Sequence, residues 1–165
     1  MICDRVLANI GDMPEERADC RREDPLMLDW WEIHRRSLRK STIGGIEIRV
    51  LLPSGQGILP GDVLLDDGQV RVVARVVEAT VLVIRPADAA EMARIALELG
   101  NLHAPTQIVA EEIRVAPDGP TEAALRDLGV AFEAQVRRFV PCRCAGMPVV
   151  RVAPQFTVVK AAACV

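Results

Sequence analysis

Aromatic residues are scarce in this chain. Its 165 residues include three phenylalanines, two tryptophans and no tyrosine. Proteins that read single-stranded nucleic acid stack bases on aromatic rings, so this composition speaks against that role. An excess of one charge is missing as well. Lys and Arg number 20 against 23 Asp and Glu, a net charge of −3, with the signs interspersed. There is no electrostatic footprint for DNA, RNA or an anionic membrane. No apolar run approaches the length of a membrane span. The start, Met1-Ile2-Cys3-Asp4-Arg5, lacks the pattern of a secretory leader. The expectation is a cytoplasmic protein that takes neither nucleic acid nor membrane as partner.

Catalytic patterns are also missing. A Ser-His-Asp site would start from a Gly-x-Ser-x-Gly elbow, and the sequence has none. Gly55-Gln56-Gly57 lacks the Gly, Lys and Ser/Thr that would complete a phosphate loop. The five cysteines, Cys3, Cys20, Cys142, Cys144 and Cys164, are odd in number and scattered. They read as reduced thiols and not as a disulfide framework. Only two histidines occur, His34 and His103, and nothing in the pattern assembles a thiol, an imidazole and an orienting group. An enzyme is the weakest functional class.

What is present is a large aliphatic fraction. Half the residues are hydrophobic, enough for one domain or two small ones. Arg5–Ile10 reads as a short strand, and Gly11–Pro25, charged and bounded by prolines, as a loop. Leu26, Leu28 and Trp30 alternate with Met27, Asp29 and Trp31, the pattern of a half-buried strand. Trp30 and Trp31 read as core and edge of the β domain, and an exposed tryptophan would mark a partner surface. The basic run from His34 to Lys40 reads as a strand edge protected by charge. Gly44-Gly45 is a turn, and Ile46, Ile48, Val50 and Leu52 form a clear alternating strand. Leu59–Leu65 is a turn feeding a strand, Asp66-Asp67-Gly68 a hairpin turn, and Val70–Val77 its partner. The expectation is a small all-β domain over residues 1–79.

After Thr80 the pattern changes. Val81-Leu82-Val83-Ile84-Arg85 is a continuously apolar strand. A helix follows over residues 88–99, with Asp88 as N-cap, Met92, Ile95, Ala96 and Leu99 at helical spacing, and Gly100 as its stop. Strands at about Gln107–Ala110 and Glu112–Val115, a helix at Pro120–Leu128 and a strand at Ala131–Arg138 complete the order β-α-β-β-α-β, the ferredoxin-like arrangement. The fold class is thus α+β. Residues 141–165, interrupted by Pro141, Pro148 and Pro154, read as an extended tail with a strand possible only at Gln155–Val159. His103 then falls on a turn just past the first helix. An imidazole there either caps carbonyls or binds a divalent ion such as Zn, Cu or Ni, and one histidine cannot hold a metal by itself.

One set of motifs runs along most of the chain: Asp4-Arg5-Val6-Leu7-Ala8-Asn9-Ile10, Leu26–Trp31 leading to Arg36, Leu38 and Arg39, and Leu59-Pro60-Gly61-Asp62-Val63-Leu64. Val81–Ile84, Glu91-Met92-Ala93, Leu99-Gly100-Asn101-Leu102-His103, Pro105 and Gln107-Ile108 complete it. In these residues the chain resembles the urease accessory protein E family, the nickel metallochaperones of urease maturation. The resemblance implies an N-terminal β domain like the peptide-binding domain of Hsp40-type chaperones, for partner or peptide binding. It also implies a ferredoxin-like domain over residues 80–140 that binds metal and forms a homodimer. His103 would lie on the dimer axis, so that both subunits face one ion. The implied cargo is nickel, with Zn or Cu taken by the same site. The implied partners are the urease apoprotein and the other urease accessory proteins, including the one that hydrolyses GTP.

Two departures bear on the site. Many members end in a histidine-rich tail or a Gly-His-x-His segment. Here Arg137–Pro148 holds no histidine, nor does Arg114–Gly119, where some members carry more. Cys142 and Cys144 form a Cys-x-Cys pair that offers two thiolates instead, unless they are incidental thiols. Cys164 is too near the end to place. His34 belongs to the N-terminal domain, as a surface or partner-contact residue. A protein-interaction module with a degenerate metal site is the competing reading.

Overall fold

The computed structural model describes residues 1–13 and 21–142. In the N-terminal half, strands β1 (Ile2–Cys3), β2 (Ala8–Asn9), β3 (Arg22–Leu28), β4 (Ser37–Ser41), β5 (Glu47–Leu51), β6 (Asp62–Asp66) and β7 (Val70–Val76) form two sheets. One is three-stranded in the order β1-β5-β4, and the other four-stranded in the order β2-β6-β7-β3. In β5 the residues of Glu47–Leu51 are alternately exposed and buried, so Ile48 and Val50 enter the core while Glu47 and Arg49 meet water. Leu26, Leu28, Val72 and Ala74 of the second sheet are fully buried in the same core.

Several sequence expectations are corrected here. The strand expected at Leu26–Trp31 is β3, which begins at Arg22 and runs through Pro25. β3 is an edge strand paired only with β7. The Pro25 carbonyl points outward to accept from the Ile43 amide at 3.0 Å. The N–H that proline lacks would lie on that same outer side, so no ladder bond is lost. β3 ends at Leu28, so Trp30 and Trp31 sit in the turn that follows it, with Trp30 packed against the core. Of the strand expected at Arg5–Ile10 only Ala8–Asn9 forms, as β2, followed by a 3-10 turn at Ile10–Asp12; β1 lies before the expected span, at Ile2–Cys3. The expected strand at Gln155–Val159 and residues 14–20 lie outside the described residues.

Buried polar contacts lock this half together. The Asp24 carboxylate, only 3% exposed, accepts from the Thr42 hydroxyl and the Gly44 amide, both at 2.7 Å. A Cβ on Gly44 would meet that carboxylate at 2.5 Å, which explains the glycine. The Leu59–Leu64 motif is structural as well. Asn9 donates its side-chain amide to the Pro60 carbonyl and to Asp62, and Asp62 accepts from the Leu59 amide at 2.7 Å. Gly61 takes the left-handed conformation that this turn requires, at φ 88°.

The C-terminal half comprises β8 (Glu78–Ile84), α1 (Ala89–Asn101), β9 (Thr106–Val109), β10 (Glu112–Val115), α2 (Gly119–Asp127) and β11 (Phe132–Arg138). Its sheet has the antiparallel order β11-β8-β10-β9, the ferredoxin-like topology. Alternation along the apolar run of β8 divides its side chains. Leu82 and Ile84 face the helices and pack with Ile95, Leu99 and Leu125, whereas Val81 and Val83 face away and are covered by Phe139. No helix among the described residues is long and apolar enough to cross a membrane.

Burial pushes the Asp62 carboxyl above its ordinary value, against the pull of the Leu59 amide and of Asn9. Asn9→Ala should destabilise the protein by about 1–3 kcal/mol in urea unfolding at neutral pH. Without Asn9 the Asp62 pKa rises further, so the charged carboxylate costs stability above that pKa. The cost disappears once pH falls below 3.8, where Asp62 is protonated both folded and unfolded. The penalty should therefore shrink on acidification; a pH-independent penalty would exclude Asp62 as its cause.

Candidate metal centre at His103

Helix α1 is anchored at its start by Asp88, whose side chain accepts from the Glu91 amide at 2.8 Å. Glu91 in turn accepts from the Ala87 amide at 2.6 Å. Ile95 and Leu99 bury one face against the sheet. The expectation that Gly100 stops the helix is not met. Gly100 and Asn101 are both helical, and the C-cap is Leu102.

The terminating residue is His103 itself. Its amide donates to the Gly100 carbonyl and the Ala104 amide to the Leu99 carbonyl, both at 3.0 Å. These are the two reversed bonds of a Schellman motif, which places His103 at the left-handed position, with φ 53°. Helix α2 ends in the same way. Gly129 donates to the Arg126 carbonyl at 2.9 Å and Val130 to the Leu125 carbonyl at 3.0 Å. There the left-handed residue is Gly129, at φ 70°. The two ends differ in one respect: α1 has a histidine where glycine is cheaper by about 1–2 kcal/mol. Ala110, in the turn between β9 and β10, is the other non-glycine residue with positive φ among the described residues, at 52°.

The geometry also turns the imidazole outward. Ala104 is buried against Leu99, as this motif favours, and the Thr106 hydroxyl donates to the Ala104 carbonyl at 2.8 Å. His103 is left exposed between them. Leu102, which precedes it, is 39% exposed, and Ile108, five residues on in β9, is 47% exposed. Among the described residues no three His, Cys, Asp or Glu side chains converge as metal ligands. One protomer therefore presents a single imidazole here.

The remaining candidates are distributed as follows. Cys142 is exposed, and its amide donates to the Thr106 carbonyl at 2.6 Å. The chain thus returns to the start of β9, three residues past His103. Cys144 and Cys164 lie outside the described residues. His34 is half-buried in the turn after β3, in the other half of the molecule, and is not brought to His103. Cys3 is buried, and that burial pushes its thiol up, away from the reactive thiolate. Trp31 is 49% exposed, and its ring stands edge-on to Trp30 with centroids 5.6 Å apart. Sequence reasoning missed the strained backbone at His103 because Gly100 offered a more familiar stop. The available signal was the pairing of Leu99 with Ala104 across the helix end.

Comparison with known proteins follows the same two halves. The family model described as UreE urease accessory protein, N-terminal domain, matches residues 4–77. The one described as UreE urease accessory protein, C-terminal domain, matches residues 79–150. The urease accessory protein UreE of Acetivibrio thermocellus is 33% identical over 131 residues, covering 79% of this chain and 84% of that protein. Its counterpart in Lysinibacillus sphaericus is 34% identical over 139 residues, covering 84% and 93% respectively. That of Halalkalibacterium halodurans is 34% identical over 134 residues, covering 81% and 87%. With both domain models matched in order, this chain belongs to the UreE urease accessory protein family.

Proposed function

We propose that this chain is a non-enzymatic nickel metallochaperone that delivers Ni to urease while the urease active site is assembled. The observation that carries this reading is His103, an exposed imidazole held at a backbone position that favours glycine. Neutral imidazole is a good ligand for Ni, Zn and Cu alike. One imidazole is too few, so the site needs a second copy of the chain. A homodimer formed through residues 80–140 sets two His103 side chains across a two-fold axis. A site with few protein ligands suits a carrier, since a closed four-ligand site would hold its cargo too firmly to pass it on.

The other proposed parts follow from this. Residues 1–79 bind partners in the urease assembly, and residues 80–140 bind metal and dimerise. GTP hydrolysis belongs to a partner accessory protein, and the setting is cytoplasmic. Cys142 and Cys144 supply soft donors in place of the histidines that many family members carry. The alternative, an interaction module with a degenerate Zn or Cu site, draws on the fact that only two histidines occur in the chain.

Substitution at His103 separates cargo binding from folding. His103→Ala should abolish calorimetric nickel binding with a stability change within about 0.5 kcal/mol. His103→Gly should abolish it too while gaining up to about 1 kcal/mol in thermal unfolding. Full nickel affinity in either variant would refute the site, and failure of the native protein to bind micromolar nickel would favour the interaction module. For the thiols, nickel-edge absorption spectra of Cys142→Ser/Cys144→Ser should lose sulfur scattering, and an unchanged spectrum would remove both from the site.

A further inference from the structure

After β11 the chain does not leave the fold. It crosses the face of the C-terminal sheet that the helices do not cover, from β11 at one edge to β9 at the other. Arg114 donates to the Arg138 carbonyl at 3.2 Å, at the start of the crossing. Phe139 is fully buried, packed on Val81 and Val83 of β8. Its ring also meets Trp30 of the N-terminal half, with centroids 5.2 Å apart and planes at 67°. Val140 packs on the N-terminal core, and its amide donates to the Gln107 side chain at 3.0 Å. Pro141 is buried, and the Cys142 amide ends the crossing on the Thr106 carbonyl at 2.6 Å.

This strap has one end in the seam between the two halves and the other on the segment that follows His103. It is also stiff. Pro141 fixes its own φ and restricts Val140 to extended backbone, which limits the conformations open to the strap. The metal-bearing loop is consequently held from two sides, by the reversed hydrogen bonds at the end of α1 and by the strap beneath β9.

We propose that residues 139–142 link the seam to the metal site, with Phe139 and Gln107 as positioning residues for His103. The inference rests on nickel binding at His103, as proposed above. Nickel capture then shifts the loop, the strap and the packing of Phe139 on Trp30. Coupling of this kind is reciprocal. A partner that engages the N-terminal half and disturbs the Trp30–Phe139 contact weakens the hold on nickel, which makes partner binding a release signal for the cargo.

The test uses the full chain carrying Trp31→Phe, so that Trp30 is the sole tryptophan. Nickel chloride is titrated in parallel by calorimetry and by tryptophan emission. The expected result is an emission change with the same midpoint as the heat. Gln107→Ala should weaken nickel about three- to tenfold and lose most of the emission change even at saturation, with a lowered thermal midpoint because the Val140 amide loses its acceptor. Phe139→Leu, which keeps an apolar side chain in the seam, should release nickel to a chelator faster. Binding without any emission change would overturn the linkage and leave the metal site standing. So would an emission change that persists in Gln107→Ala, because that is a direct quench by the ion. Absence of nickel heat in the parent protein would overturn the metal reading itself.

Discussion

The left-handed backbone at His103 is the constraint on which the site depends. Two requirements meet at that residue. The helix must end there so that Leu99 and Ala104 close on the core, and a Schellman end demands a residue that tolerates positive φ. A divalent ion, in the proposed nickel site, demands an imidazole that no protein group has already engaged. Helix α2 meets the first requirement alone and uses Gly129. In the proposed site helix α1 meets both, at a small cost in stability. The rest of the C-terminal half keeps that arrangement in place: Asp88 and Glu91 fix the start of the helix, Ile95 and Leu99 fix its rotation, and β9 carries the chain away immediately after the turn.

A lone exposed imidazole makes a poor metal site and a useful half-site. In the proposed dimer, symmetry doubles the ligand without adding a residue. Irving–Williams ordering ranks Cu above Ni for nitrogen donors, so selectivity for nickel cannot come from the imidazoles alone and must come from metal supply or from the partner. The thiols of the tail would further soften the donor set. Transfer is then favoured by a ligand set of higher denticity in the recipient, which competes for the ion.

Much of the fold was legible in the sequence wherever one local signal decided the structure. The alternation at Ile46–Leu52 marks β5, Asp66-Asp67-Gly68 marks the β6–β7 hairpin, and Asp88 marks the start of α1. The failures share a cause, a tertiary contact overriding a local rule. Pro25 reads as a strand breaker, yet an edge position and the Ile43 amide make it harmless. Gly100 reads as a helix stop, yet the motif closes on the buried pair Leu99 and Ala104, three residues further along. His103 was legible as a candidate from its position and its scarcity, but its strained backbone was not. The strap at Phe139–Cys142 has no periodic signature at all, because its contacts go to two different domains.

The most direct test of a symmetric site is anomalous diffraction at the nickel edge from crystals of the nickel-loaded protein. The predicted result is one nickel ion on a molecular two-fold axis, with an imidazole nitrogen of His103 from each subunit in its coordination sphere. A nickel ion bound away from His103, or one held by His103 of a single subunit with no two-fold partner, would contradict it.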